Sequence, residues 1–269
     1  ETDNPFLTIV DNGIGMEPEE LIQNMRIGCK DPNQKRDAGD LGRFGSGMKT
    51  ASFSHARRLT VISHKKGKKI AAACWDIDEI EEKNAWCLRE LNEKDIKDLE
   101  HLDKELIKGV GTQLIWEKIK KFEETDHNNS KNSIETSMVD LNKYLALHFH
   151  KFLQGPNKIN IYVQKLKVEP VDPFLTTKNG YQEGPTDETF VKGGKLQIKS
   201  HTLPHHSNLT QSEIDSIGGM EEIYKGQGLY IYRENRLIIA GGWMGLSRTY
   251  QLGKLARIEI NIPSGLDDD

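Results

Sequence analysis

The chain has 269 residues, 36% hydrophobic and 29% charged. This is enough apolar material for real cores and, at roughly 100–200 residues per domain, a length that suggests two domains. With 41 acidic and 37 basic side chains the net charge is −4, which excludes a global electrostatic drive towards nucleic acid or an anionic membrane but leaves room for a local basic face.

No apolar run approaches the ~20 residues that span a bilayer, and Glu1-Thr2-Asp3-Asn4-Pro5 lacks the character of a secretory leader. Cys29, Cys74 and Cys87 are odd in number and form no C-x-x-C. A disulfide or zinc framework is not expected, no membrane partner is implied, and a reducing cytoplasm is the natural compartment. Cys74 and Cys87 sit in apolar stretches and read as core.

In chain order, Phe6–Val10 reads as a buried strand, broken by Asp11-Asn12-Gly13. Pro18 opens a helix with an apolar stripe of Leu21, Ile22 and Met25. Residues 28–45 have no period and read as a loop; Ser46 to about His55 reads as a short helix. Leu59–His64 and Lys69–Trp75 form a hairpin around Lys65-Lys66-Gly67-Lys68. Ala85–Leu91 is a candidate strand, and Ile96, Leu99, Leu102 and Leu106 give residues 92–107 helical spacing. Gly111–Trp116 returns to strand.

The charged, Asn-rich Lys118–Ser133 stretch marks a boundary between domains at 1–118 and 134–269, with 119–133 as linker. A helix follows over about Ile134–Leu153, then strands near 158–163, 194–201, 228–234, 236–240 and 255–262. Glu169–Gly194, with its prolines and glycines, reads as a surface connection.

Three segments carry chemistry. Asp11-Asn12-Gly13-Ile14-Gly15-Met16 follows a strand: a carboxylate there can accept from an exocyclic amine, and Gly13 and Gly15 allow a flat ring close to the backbone. A hairpin turn is the competing reading, whereas an EF-hand fails for want of later oxygen ligands. Gly42-Arg43-Phe44-Gly45-Ser46-Gly47-Met48-Lys49-Thr50 precedes a helix, where N–H groups and the dipole favour an anion. It is not a P-loop, because Met48 stands where Lys is required, and its glycine order reverses the Rossmann order. Gly109-Val110-Gly111-Thr112 alone reads as a strand-initiating turn.

Together, in this order and separation, the three segments resemble the Bergerat-fold ATPases, the superfamily of DNA gyrase, the ninety-kilodalton heat-shock chaperone, histidine kinases and MutL. The run from Asp11 through Met16 and Asn24 to Lys30 is similar to the chaperone's. The lid from Leu41 to Ser52 and the segment Gly228–Ile238 resemble microrchidia-type ATPases and their bacterial relatives.

The resemblance implies an α+β protein: a Bergerat-type α/β sandwich ATPase domain followed by a ribosomal-protein-like α/β transducer. It implies ATP and Mg²⁺ as cofactors. It puts the adenine amine on Asp11, a ring contact on Met16, and ribose or phosphate contacts on Asn24 and Lys30. Gly13 and Gly15 shape the adenine turn. Gly42, Arg43, Phe44, Gly45, Ser46, Gly47 and Met48 form the phosphate lid, and Thr112 holds an adenine-bound water. Lys49 is an expected extra phosphate contact on the helix's first turn.

In this superfamily a helix ahead of the Asp motif supplies an acidic general base and a Mg²⁺-holding Asn, and a transducer lysine reaches the γ-phosphate. Only Glu1–Pro5 precede the first strand, and the segment matching that lysine lies past Asp269, so the expectation is a fragment with no catalytic residue and no metal ligand of its own. The expected function is an ATP-binding conformational switch, hydrolysing ATP in the intact parent: a dimerising clamp, a homodimer with DNA as its object. The alternatives are a chaperone-like ATPase on protein clients, a nucleotide-binding module without hydrolysis and, weakest, a histidine kinase, for which no phosphoacceptor helix is visible.

Other candidates read as structural. His201, His205 and His206 around Pro204 could bind a metal but fit a polar loop. His148 and His150 face apart on a helix. Trp116 and Trp243 read as core, Arg233 and Arg236 as a hairpin tip, and Lys65, Lys66, Lys68 and Lys69 as a solvated turn rather than a nucleic-acid contact.

Overall fold

A computed structural model of the protein describes residues 4–28, 45–119, 127–191 and 194–263, with the side chains at 107, 127–134 and 216 outside the description. The chain divides into two compact units, one running to Ser130 and the other from Lys131. Both mix helices and sheet, as an α+β protein does.

The first unit is built on an antiparallel sheet of β1 (Leu7–Asp11), β2 (Ala56–His64), β3 (Ala71–Asp76), β4 (Arg89–Leu91) and β5 (Gly111–Ile119), in the order β1-β5-β2-β3-β4. Alternation along the strands gives the sheet two apolar faces. One packs Leu59, Val61, Ala73 and Trp75 against Leu21 and Met25 of α1 (Pro18–Met25) and Met48 and Phe53 of α2 (Gly47–His55). The other packs Ile62, Ala72 and Ile115 against Ile96 of α4 (Glu93–Lys97) and Leu106 of α5 (Lys104–Lys108). Helix α3 (Ile77–Lys83) follows β3, its N-cap Asp76 accepting from the Asp78 N–H.

Several expectations are corrected here. The first strand is not buried: β1 is an edge strand, and Ile9 and Val10 are about half exposed (49% and 46%). The 92–107 period is split between α4 and α5, because Asn92 and Asp103 each accept from N–H groups of a new first turn. Only Arg89–Leu91 of the 85–91 stretch is strand. Cys74 is buried, but Cys87 is only partly so.

Helix α6 (His127–His148) carries the chain into the second unit, so residues 127–133 are helical where a linker was expected. The unit's main sheet runs β11 (Arg236–Ala240), β10 (Gly228–Arg233), β12 (Ala256–Ile262), β9 (Gly194–Thr202), β8 (Gln182–Val191), with β10 and β12 parallel and the other pairs antiparallel. A small ladder joins β6 (Tyr162–Val163) to β7 (Leu166–Lys167). Helices α7 (Gln211–Ser216) and α8 (Met220–Lys225) pack Ile214 and Ile223 beside Leu175 and Leu203. Strand β8 overturns the expected loop over 182–191. Its Gly184-Pro185 lies at a register shift between Glu183 and Thr186, on an edge strand, where proline is tolerated.

A buried polar line crosses this second sheet. His150 is sealed in, its Nε2 2.8 Å from the Tyr232 hydroxyl and its Nδ1 3.0 Å from Gln154 Nε2. Lys151 reaches Glu259 at 2.6 Å, and Glu259 also stands 3.2 Å from His201 Nε2. The Tyr181 hydroxyl meets His201 Nδ1 at 2.6 Å, and Phe174 stacks on the ring. His201 thus turns into the sheet while His205 and His206 stay exposed on their loop, and no group of three metal-capable side chains comes together among the described residues.

Burial lowers the His150 pKa to about 4. The unfolded chain takes up that proton near pH 6.5, so stability is fully present above 6.5 and is lost as pH falls from 6.5 towards 4. Burial pushes Glu259 up, but His201, Lys151 and Asn261 outweigh it and hold the carboxyl at about 2; its contribution is lost only as pH falls below the ordinary 4.5. The expected result is a melting temperature that drops between pH 6.5 and 5, with a slope near 1.4 kcal/mol per pH unit from this one group. In His150→Gln that slope flattens, which melting curves across the window would check.

Candidate functional site

The site grows from the junction of β1, β5 and β2. Asp11 ends β1 directly opposite Thr112 of β5, and Thr112 lies opposite Ser63 of β2. Cross-strand partners project to the same face, so a carboxylate and two hydroxyls form a row. Gly111 makes this approach feasible: its φ is +142°, and a Cβ built there would run into the Asp11 carbonyl.

Beyond Asp11 the chain turns tightly. The Gly13 N–H donates to Asp11 Oδ1 at 2.8 Å, leaving the second carboxylate oxygen to the exposed side. Gly15 is buried at φ +68°, where a Cβ would overlap the backbone carbonyl of His64. The Met16 N–H then donates to Ser63 Oγ at 2.8 Å. Ser63 Oγ also stands 2.9 Å from the Thr112 hydroxyl and 3.1 Å from the Gly111 carbonyl. One wholly buried serine therefore ties the turn to both strands beneath it.

Helix α1 starts at Pro18 behind a capping box between Glu17 and Glu20. The same two carboxylates hold the β2–β3 hairpin: Lys65 reaches Glu20 at 3.1 Å and Glu17 at 3.4 Å, and Lys68 reaches Glu17 at 2.6 Å. Two of that hairpin's four lysines are thus paired within the unit. At the helix's far end the Trp75 indole N–H donates to the Met25 carbonyl at 2.9 Å.

Asn24, on the same helix, points its amide at the Met16 sulfur, 3.4 Å away. Lys49 contradicts its expected role. It is 2% exposed, and its ammonium donates to the Asn24 carbonyl at 2.6 Å and the Arg26 carbonyl at 2.7 Å. The negative end of the α1 dipole attracts the cation, so Lys49 locks α2 to α1 instead of projecting forward. Ser46 precedes α2 without a side-chain cap bond, that helix has no acidic residue in its first turn, and a Cβ on Gly47 would meet open space.

The structure thus joins Asp11, Gly13, Gly15, Met16 and Thr112 around Ser63, and connects them through Asn24 and Lys49 to α2 with Ser46, Gly47 and Met48. Gly45, at φ +61°, leads into that helix. Lys30, Gly42, Arg43 and Phe44 lie outside the described residues. Sequence reading missed Ser63; its one signal is a hydroxyl closing the apolar run Leu59-Thr60-Val61-Ile62.

Away from this site, Asp76 is buried and bonds Arg58 at 2.7 Å and Lys118 at 3.0 Å, while Asp78 pairs with Arg57 at 2.6 Å and with Lys118. Burial pushes the Asp76 carboxyl up, but Lys118 and Arg58 hold it below the usual range. This cluster fastens the other end of β2 and β5 and takes no part in the site.

Residues 1–109 match a family model described as "Histidine kinase-, DNA gyrase B-, and HSP90-like ATPase". Two curated relatives are similar in part. Chaperone protein HtpG of Rhodopseudomonas palustris (strain HaA2) is 37% identical over 78 residues, 26% of this chain and 12% of the relative. Chaperone protein HtpG of Dechloromonas aromatica (strain RCB) is 32% identical over 87 residues, 28% of this chain and 14% of the relative. The similarity spans only about an eighth of each chaperone's length. With the glycine-shaped turn at Asp11 and the α2 start placed as described, residues 1–109 belong to the Bergerat-fold ATPase superfamily.

Proposed function

We propose that the chain binds ATP at this site and uses it to drive a conformational switch. The observation that carries the reading is the row of Asp11, Thr112 and Ser63 beneath the Gly13–Met16 turn. Asp11 has an exposed carboxylate oxygen to accept from the adenine amine, Thr112 stands beside it, and Met16 offers a polarizable ring contact. Phosphates lie towards the start of α2, where N–H groups and the dipole favour anions.

The residues present fit the nucleotide: Asp11 is exposed, and a Cβ added at Gly47 would meet nothing within 4 Å. Mg²⁺ would arrive with the phosphates, since no described cluster offers three metal ligands. In this proposal Lys30 contacts ribose or phosphate, and Gly42, Arg43 and Phe44 belong to the phosphate lid, as the resemblance to microrchidia-type ATPases implies. Residues 134–269 act as a transducer in this proposal.

The proposed output is a nucleotide-driven homodimeric clamp on DNA in the cytoplasm. A chaperone output is the second reading, favoured by the HtpG similarity and by the pairing of Lys65 and Lys68 with Glu17 and Glu20, which removes half of the most basic hairpin. Sedimentation with and without a non-hydrolysable ATP analogue tests the switch: the expected result is a shift from monomer to dimer, and an unchanged profile would contradict it. Duplex DNA titrated at two salt concentrations separates the outputs, because a DNA clamp loses affinity steeply with salt.

A further inference from the structure

We propose that Ser63 is a positioning residue that sets the direction of the Thr112 hydroxyl and thereby the recognition of the purine ring nitrogen; this rests on the adenine assignment of Asp11 above. Ser63 is 0% exposed, so it cannot touch a ligand. Its hydroxyl has one proton and two lone pairs. Three groups surround it: the Met16 N–H at 2.8 Å, the Gly111 carbonyl at 3.1 Å and the Thr112 hydroxyl at 2.9 Å.

The Met16 N–H can only donate, so it takes one lone pair. The Gly111 carbonyl can only accept. Two arrangements remain. If Ser63 donates to Gly111, Thr112 must donate to Ser63, and Thr112 then offers the site only lone pairs. If Ser63 donates to Thr112, the Thr112 proton is released to point outwards.

Adenine presents a donor amine flanked by ring nitrogens that accept. In direct contact only the second arrangement satisfies it, with Asp11 accepting from the amine and Thr112 donating to the neighbouring nitrogen. A base with a ring N–H beside a carbonyl would suit the first arrangement at Thr112 but would set its oxygen against Asp11. The carboxylate therefore rejects such a base, and Ser63 turns the Thr112 proton outwards for the ring nitrogen of adenine. The strand register that makes Asp11, Thr112 and Ser63 successive partners produces this row.

The test compares ATP with 1-deaza-ATP and 7-deaza-ATP, each lacking one ring nitrogen, by calorimetry on the whole chain. Wild type is expected to prefer ATP over one of the two by about five- to tenfold, the size of one hydrogen bond. Thr112→Val brings that ratio to one. Ser63→Ala also shrinks it, because the Thr112 proton is then free to turn to the vacated Gly111 carbonyl. Ser63→Cys, similar in volume and a weaker donor, gives an intermediate ratio and serves if the alanine variant fails to fold.

A purely structural Ser63 would weaken ATP and analogue by the same factor; a Ser63→Ala or Ser63→Cys ratio equal to wild type overturns the proposal. So does a wild type that binds ATP without discriminating between ATP and either analogue. A wild type that binds no ATP at all sinks the nucleotide assignment instead.

Discussion

Gly15→Ala is expected to destabilise the first unit by about 2–5 kcal/mol and to abolish nucleotide binding. Two costs add. The backbone sits at φ +68°, which costs an alanine roughly 1–2 kcal/mol. The new Cβ also meets the His64 carbonyl, which cannot retreat because β2 is paired on both sides, to β5 and β3. Overpacking of this kind costs roughly another 1–3 kcal/mol.

Gly67 provides the internal control. It has φ +76° in the hairpin turn, but nothing lies within 4 Å of an added Cβ. Gly67→Ala should therefore cost only the backbone part, roughly 1–2 kcal/mol. Thermal melting of the two variants separates the effects. At roughly 2–4 °C per kcal/mol for a chain of this size, Gly15→Ala should melt at least about 4 °C below wild type. Equal melting temperatures for the two variants would show that the turn is not wedged against β2.

The parts of the site legible in the sequence are those whose physics is local. Asp11, Gly13 and Gly15 announce a turn that needs carboxylate and bare backbone within five residues. Pro18 and the Leu21–Met25 stripe announce α1 in the same way. The supports were not legible because they are long-range. Ser63 meets Met16 across 47 residues, and Lys49 meets Asn24 across 25.

A lysine beside a glycine-rich loop invites a phosphate role. Its actual environment, the carbonyl end of α1, exists only once α1 and α2 pack together. Edges misled the reading as well. Phe6–Val10 has the composition of a buried strand but lies outermost, and β8 carries the Gly184-Pro185 pair that suggests a loop because an edge strand has no ladder on one side to lose.

These supports also say what kind of site this is. Trp75, Lys49 and the Glu17–Lys65 pair fix α1 at both ends, and Ser63 fixes the turn before it. In the proposed reading the base-binding side is preorganised, as a site must be if ligand energy is to go into moving other segments rather than ordering its own.

The claim that Asp11 receives an adenine amine is tested most directly by titrating ATP into wild type and Asp11→Asn at fixed Mg²⁺ and salt. Asparagine keeps an oxygen for the Gly13 N–H, so the turn survives and the melting temperature should stay within about 1 °C of wild type. The exposed oxygen becomes an NH₂ that faces the amine donor to donor. Losing one charge-assisted hydrogen bond is worth about 1.5–3 kcal/mol, so ATP affinity should fall roughly 10- to 150-fold. An Asp11→Asn protein that folds normally and binds ATP as tightly as wild type would contradict the account.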